Sequence, residues 1–218
     1  MSASASSAAP GPMPPSSIID DFLDAQTHRA LLDYVIANEG RFEPATLHRP
    51  TGMEVDTAIR DNLKLSDLGP LRDEMVKRFS AALPRLASTL GTTVPADSRL
   101  ELELTAYGDG AFYHAHSDTV LPGKDNPGQV ERDPRLLSAV YYFHRRPKAF
   151  DGGALRLFRW GVSEPSDAAD YRDFEPTDNR LVTFLSWSRH EVMPVRCPSR
   201  RFEDYRFAIN CWFRVLLP

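Results

Sequence analysis

Before Arg99 the apolar residues of this chain recur every three or four positions; beyond it they alternate with polar ones. A first helix is predicted after Asp24, a residue type that caps helix N-termini. It carries Leu31, Leu32, Val35 and Ile36 on one stripe, with Gly40 as its stop. A second follows Ser66 and carries Leu68, Leu71, Met75, Phe79, Leu83, Leu86 and Leu90, with Pro84 expected to kink it and Gly91 to end it. Both stripes read as packing surfaces. Residues 41–65 show no clear period and are expected to be strand and loop crossing one mouth of the fold.

From Arg99 the period is two. Leu100, Leu102, Leu104 and Ala106 oppose Glu101, Glu103, Thr105 and Tyr107, and near the end Phe207, Ile209, Cys211, Phe213 and Val215 oppose Arg206, Ala208, Asn210, Trp212 and Arg214. Side chains two apart leave a strand on the same face, so each strand is apolar on one side and polar on the other. Further strands are expected over 136–143, 154–160, 181–187 and 192–195, and the polar, Pro-rich segment 163–180 reads as a loop. The predicted fold is mainly β with flanking helices. The helices cover the apolar face of a curved sandwich or barrel, and its other face lines a pocket.

The 218 residues suit one well-buried domain. A disordered tail rich in Ser, Ala and Pro is expected over 1–17. A single domain follows over 18–218, entered through Ile18 and Ile19 and divided into a helical support region, 18–98, and a β core, 99–218. The tail has no positive residue and no apolar core segment, so it reads as neither a secretory signal nor a transit peptide, and no apolar run approaches the length of a membrane span. A formal charge of −4 without a long basic block argues against a general nucleic-acid binder. Cys197 and Cys211 form no CxxC pair and lie near no histidine at zinc spacing. Cys211 reads as a small buried hydrophobe, and a reduced, cytoplasmic setting is expected.

Candidate chemistry gathers in 107–118, Tyr-Gly-Asp-Gly-Ala-Phe-Tyr-His-Ala-His-Ser-Asp. On extended backbone, His116 and Asp118 bring an imidazole and a carboxylate to one point, and His190, far down the chain on a neighbouring strand, is placed as a third ligand. Two imidazoles and one carboxylate make the facial set that leaves positions open on Fe(II) in non-haem oxygenases. His114 would crowd that strand as a ligand and reads as a supporting or exposed residue. His28, His48 and His144 have no partner pattern and read as surface or structural.

Together, Tyr107, Gly110, Phe112, Tyr113, His116 and Asp118 resemble the Y-x-x-G-x-F-Y-x-x-H-x-D signature of the Fe(II)/2-oxoglutarate-dependent dioxygenases, in particular the prolyl hydroxylase-like branch. The likeness continues in order through the Tyr-bearing segment 139–143, the Gly-Gly turn and strand of 151–158, the distal-histidine segment 190–195 and the closing strand 206–213. It implies a double-stranded β-helix, or jelly roll, binding Fe(II) through His116, Asp118 and His190. The implied co-substrates are 2-oxoglutarate and dioxygen, with ascorbate as a candidate reductant. Arg206 takes the position that holds the distal carboxylate of 2-oxoglutarate, for which a guanidinium is a planar two-point partner. Asn210 and Trp212 share its parity and should face the pocket. Sixteen positions separate His190 from Arg206, a longer interval than the family usually shows; residues around 198–205 look like an inserted hairpin, and Arg200 and Arg201 compete for the role. Tyr107 and Tyr142 match positions framing the co-substrate, and Leu155 matches an apolar wall.

The implied reaction couples decarboxylation of 2-oxoglutarate to succinate with hydroxylation of an unactivated carbon in an amino acid, a peptide (prolyl residues included) or a small molecule. A carboxylate ligand at Asp118 separates it from halogenating relatives. Arg145, Arg146, Lys148, Arg156 and Arg189 are candidate rim residues for an anionic substrate. A metal-holding sensor or binding module and a zinc hydrolase are the alternatives. The hydrolase wants a general base, which Glu191, on the opposite strand face from His190, does not supply. A small-molecule or peptide partner is expected, with no nucleic acid and no membrane; the pattern does not read out an oligomeric state.

Overall fold

The computed structural model describes residues 11–49, 52–95, 97–119, 133–162 and 165–215. β1 (Ser16–Asp20) and α1 (Ala25–Ala37) are followed by five short strands, β2 (Glu43–Pro44), β3 (Leu47–Arg49), β4 (Gly52–Glu54), β5 (Arg60–Asp61) and β6 (Leu63–Leu65). After α2 (Arg72–Thr89) come β7 (Arg99–Tyr107), β8 (Phe112–His116), β9 (Arg135–Phe143), β10 (Asp151–Gly152), β11 (Leu155–Phe158) and β12 (Tyr171–Phe174). The chain closes with β13 (Arg180–Leu185), β14 (His190–Val192), β15 (Val195–Arg196) and β16 (Arg206–Arg214).

A seven-stranded antiparallel sheet, ordered β1-β13-β9-β16-β7-β6-β2, faces a five-stranded one, β12-β11-β14-β8-β5. Strand parity decides what each face touches. Leu102, Leu104, Leu137, Tyr141, Phe207, Ile209 and Phe213 turn outward onto Leu31, Val35, Met75, Phe79, Leu83 and Leu86 of the helices. The opposite face packs Tyr142, Val182, Phe184 and Ala208 against Leu155, Leu157 and Phe174 of the smaller sheet. Each fully buried aliphatic or aromatic side chain contributes about 1.5–3 kcal/mol, so this helix-to-sheet layer is the main apolar core. Beside the smaller apolar cluster between the sheets, the interior also takes polar side chains.

Local chemistry sets the helix ends. Asp24 Oδ1 accepts the amides of Gln26 at 3.1 Å and Thr27 at 2.9 Å, and Asp24 Oδ2 accepts from Arg78 of α2 at 2.7 Å, tying the helices together. α1 stops at Ala37 rather than Gly40, which falls in the 3₁₀ turn Glu39–Arg41. Pro84 stays on the exposed side of α2, and Gly91, at φ +64°, follows its last turn.

Several expectations need correcting. The segment 163–180 contains β12, an edge strand on β11, whose four residues are too few to show a period. The strand expected over 192–195 is two, β14 and β15, separated at Met193 and Pro194. Structure also begins before residue 18: Ser16 and Ser17 lie in β1, and the Gly11 amide donates to Trp160 O at 2.8 Å; residues 1–10 of the expected tail lie outside the described residues. One expectation holds in its second form: His28 is structural, with Nδ1 2.7 Å from Tyr141 Oη and Nε2 3.1 Å from Asp178 Oδ1, docking α1 on the large sheet.

Candidate metal centre and its cavity

His190 and His116 are direct cross-strand partners on β14 and β8, which places their imidazoles side by side with ring centroids 4.3 Å apart. Each ring is oriented through its Nδ1, His116 by the carbonyl of His114 at 2.8 Å and His190 by that of Ser188 at 2.9 Å. These contacts assign the proton to Nδ1 and leave the Nε2 lone pairs directed at Asp118. His116 Nε2 lies 3.7 Å from Asp118 Oδ1, and His190 Nε2 lies 3.7 Å from Asp118 Oδ2. Tyr113 stacks on His116 at 3.6 Å and Phe184 lies 4.6 Å from His190, so aromatic rings clamp both imidazoles. His114 is exposed and contributes its carbonyl.

Electrostatics agrees with a cation site. Burial first, and the neighbouring His190 second, push the pKa of His116 far below the usual histidine range. Burial alone would raise that of Asp118, but His190, His116, Arg135 and a hydrogen bond from Ser138 together hold it below the ordinary carboxylate value. One potential ligand atom from each of His116, Asp118 and His190 lies within 4.8 Å of the others. A neutral imidazole and a carboxylate in that geometry share no proton, and a divalent cation satisfies all three lone pairs at once. The residues present therefore fit a metal ion.

These groups open into a cavity of about 970 Å³ lined by Tyr107, Val140, Leu155, Arg206, Asn210 and Trp212 among others. Arg206 is 1% exposed; its Nε donates to Gly153 O at 2.8 Å, and its guanidinium carbon lies 4.7 Å from the Tyr107 ring centroid and 4.8 Å from that of Tyr142. Among the described residues no carboxylate pairs with Arg206, and the buried Tyr142 hydroxyl beside it has no hydrogen-bond partner. A buried guanidinium without a counter-ion and an orphaned phenol are costly together unless a ligand supplies oxygen acceptors. A carboxylate fits them both. Burial pushes the Tyr142 phenol up to about 12, so it remains a donor at neutral pH.

Arg200 and Arg201 lie elsewhere. The exposed side chain of Arg200 binds Asp109 Oδ2 at 3.1 Å, and Arg201 binds Asp204 Oδ2 at 2.9 Å. Of the expected basic rim, Arg145 pairs with Glu203, Arg146 with Asp178 and Arg156 with Asp173, while Lys148 lies over the Phe150 ring at 4.6 Å and Arg189 over the Phe158 ring at 4.7 Å; none of the five is on the cavity wall. Glu191 lies 3.8 Å from Arg156 on the outer strand face and is no base for a metal-bound water.

Several wall residues escaped the sequence reading. Arg60 of β5 pairs with Glu103 of β7 at 3.0 Å and lies 4.8 Å above the Tyr113 ring, joining the two sheets across the cavity. Arg135 stacks 3.9 Å from the Trp212 ring centroid while Glu101 holds it at 2.7 Å and Arg214 at 2.6 Å. Ser138 donates to Asp118 Oδ2 at 2.6 Å. The only signals for these in the sequence were polar residues at inward parity, with nothing to indicate their partners.

Residues 102–214 match the model of the 2OG-Fe(II) oxygenase superfamily. An uncharacterized PKHD-type hydroxylase of Synechocystis sp. is 29% identical over 198 residues, 90% of this chain; the chain spans 62% of that relative's length. A crystal structure of a Pseudomonas putida prolyl-4-hydroxylase superposes with a TM-score of 0.62 at 28% identity, covering 92% of this chain and 93% of that one. A Trichoplax adhaerens prolyl hydroxylase, solved with a hypoxia inducible factor peptide fragment, shares the fold at a TM-score of 0.59 and 22% identity, with 92% of this chain and 83% of that chain covered. With the family match spanning more than half of the chain, including His116, Asp118, His190 and Arg206, the chain belongs to the 2OG-Fe(II) oxygenase superfamily.

Proposed function

We propose that this protein is an Fe(II)- and 2-oxoglutarate-dependent hydroxylase acting on a peptide segment, with a prolyl residue as the leading candidate. The observation that carries the reading is the pairing of a three-residue cluster with Arg206, a buried cation that has no counter-ion among the described residues and faces the same cavity. Bound Fe(II) would supply the site at which dioxygen and the keto acid react; His116, Asp118 and His190 would hold it. Arg206 and Tyr142 would grip the distal carboxylate of 2-oxoglutarate, with Tyr107 and Leu155 as walls and Asn210 as a further polar contact. Ascorbate would act only as an external reductant.

Trp212 serves the substrate half in this reading. It lies six residues from Arg206 on β16, about 20 Å at strand rise, too far to share one five-carbon diacid with it. Its indole, braced on one face by Arg135, offers a flat apolar wall suited to a pyrrolidine ring. A cavity of about 970 Å³ is at the upper end of ligand sites and leaves room for a stretch of chain beside the co-substrate. The similarity to a prolyl-4-hydroxylase supports the same choice. Among the described residues no helix is long and apolar enough to cross a membrane, and the free, buried Cys197 and Cys211 are compatible with a reducing compartment such as the cytoplasm.

The test is anaerobic titration of the metal-free protein with Fe(II) and then 2-oxoglutarate. A visible metal-to-ligand charge-transfer band is expected on adding the second. No band, together with tight zinc retention, would overturn the reading in favour of a metal-holding module.

A further inference from the structure

The ligand carboxylate sits just beyond the end of β8, where no ladder hydrogen bond fixes it, and what fixes it instead comes from the opposite sheet. The Asp118 amide donates to Ser186 O at 2.9 Å. Ser138 Oγ lies 2.6 Å from Asp118 Oδ2 and 2.8 Å from Ser186 Oγ. Both serines are buried, Ser138 at 1% and Ser186 at 0% exposure.

Proton accounting orders this chain. An ionised carboxylate only accepts, so the one Ser138 proton goes to Asp118, and Ser138 must in turn accept the Ser186 proton. Donation runs from Ser186 to Ser138 to Asp118. A serine inside the otherwise apolar run of β9 is costly to bury unless its hydroxyl is satisfied, and its place directly behind a metal carboxylate accounts for it.

Resting on the metal site proposed above, we infer that Ser138 is a positioning residue for Asp118, backed by Ser186. Held at Oδ2, the carboxylate cannot swing freely between rotamers, and a short charge-assisted hydrogen bond draws electron density toward Ser138. Asp118 is thereby biased to offer one oxygen to the cation rather than close on it with two. The positions that a two-oxygen co-substrate needs stay available. The relay also links the segment after β8 of the small sheet to β9 and to the residue following β13 of the large one, so the ligand is placed relative to the wall that carries Arg206.

The experiment uses Co(II) alone on the chelator-stripped protein, comparing wild type with Ser138→Ala, Ser138→Thr and Ser186→Ala, with thermal melts of each metal-free form. Wild type is expected to bind Co(II). Ser138→Ala should weaken the dissociation constant on the order of ten-fold or more and alter the visible Co(II) band at saturation. Ser138→Thr, which keeps the hydroxyl, should restore both, and Ser186→Ala should shift them in the same direction by less. A folded Ser138→Ala with wild-type affinity and spectrum would overturn the proposal. Should Ser138→Ala not fold, a wild-type Co(II) spectrum and affinity in Ser186→Ala would do the same. A wild-type protein that takes up no Co(II) would bring down the metal site itself, an outcome distinct from equal binding by wild type and variant.

Discussion

The carbonyl of Gly153 accepts Arg206 Nε at 2.8 Å, and the glycine has φ +71°. A Cβ here would meet Arg206 Cδ at 2.7 Å and Val195 Cγ2 at 2.9 Å. The Gly-Gly turn is thus a seat for the guanidinium. Left-handed backbone costs a side-chain-bearing residue about 1–2 kcal/mol, and a displacement of about 1 Å in a positioning group can cost on the order of 100-fold. Gly153→Ala should therefore weaken 2-oxoglutarate binding at least ten-fold while leaving Mn(II) affinity unchanged. Calorimetric titration of each ligand in turn checks this, and unaltered 2-oxoglutarate affinity would remove the turn from the site.

Arg206 should show a trade of stability for function. A buried charge without its partner is destabilising, and an apolar side chain of similar reach relieves that. Arg206→Met is expected to abolish measurable 2-oxoglutarate binding yet raise the melting temperature of the ligand-free protein by about 2–4 °C, the shift that about 1 kcal/mol produces at this size. Arg206→Lys keeps the charge but loses the two-point fork, so its KM for 2-oxoglutarate should resemble that of Arg206→Ala more than wild type. A lower melting temperature for Arg206→Met would show that the guanidinium is satisfied without a ligand.

What the alternation of apolar and polar residues made legible was parity. It sent Arg206, Asn210 and Trp212 to one face of β16 and Phe207, Ile209 and Phe213 to the other, and the structure has them so. It could not reveal partners. Ser138 carries no pattern of its own, and its meaning depends on Asp118, reached through a contact between sheets. Arg145, Arg146 and Arg156 read as a free basic rim because their acids, Glu203, Asp178 and Asp173, are far along the chain or across a hairpin. β12 escaped notice because an edge strand of four residues needs only one buried residue, Phe174, to stay attached.

Trp212 and Arg135 form a stacked pair at 3.9 Å whose guanidinium is anchored on Glu101, so the indole face is held rigid at the cavity wall. If the wall receives substrate, Trp212→Ala should raise KM for a prolyl peptide about ten-fold or more, since losing one large aromatic contact is worth about 1.5–3 kcal/mol. Substrate-free decarboxylation of 2-oxoglutarate should be nearly unchanged. Succinate release with and without peptide separates the two; equal losses in both would return Trp212 to the co-substrate side.

Asp178 links the helical layer to the sheet and should make the fold acid-sensitive. Its carboxylate is 6% exposed and meets His28 Nε2 at 3.1 Å, Arg146 Nε at 2.6 Å and the His144 amide at 3.1 Å. Burial works to raise its pKa, but the hydrogen bonds from His28, Arg146 and the His144 amide outweigh it and hold the group well below its ordinary 3.8. A depressed folded pKa means that the unfolded chain takes up the proton first. The stabilisation is therefore complete above about pH 4 and lost as pH falls toward the folded value. His144 acts in the same sense at higher pH: burial lowers its pKa from 6.5, so stability begins to fall as pH drops through that value. Asp178→Asn should cost about 1–3 kcal/mol at pH 7. Melting curves from pH 7 to pH 3 should show the gap between variant and wild type closing below about pH 4; a gap of constant size would place the acid sensitivity in other carboxylates.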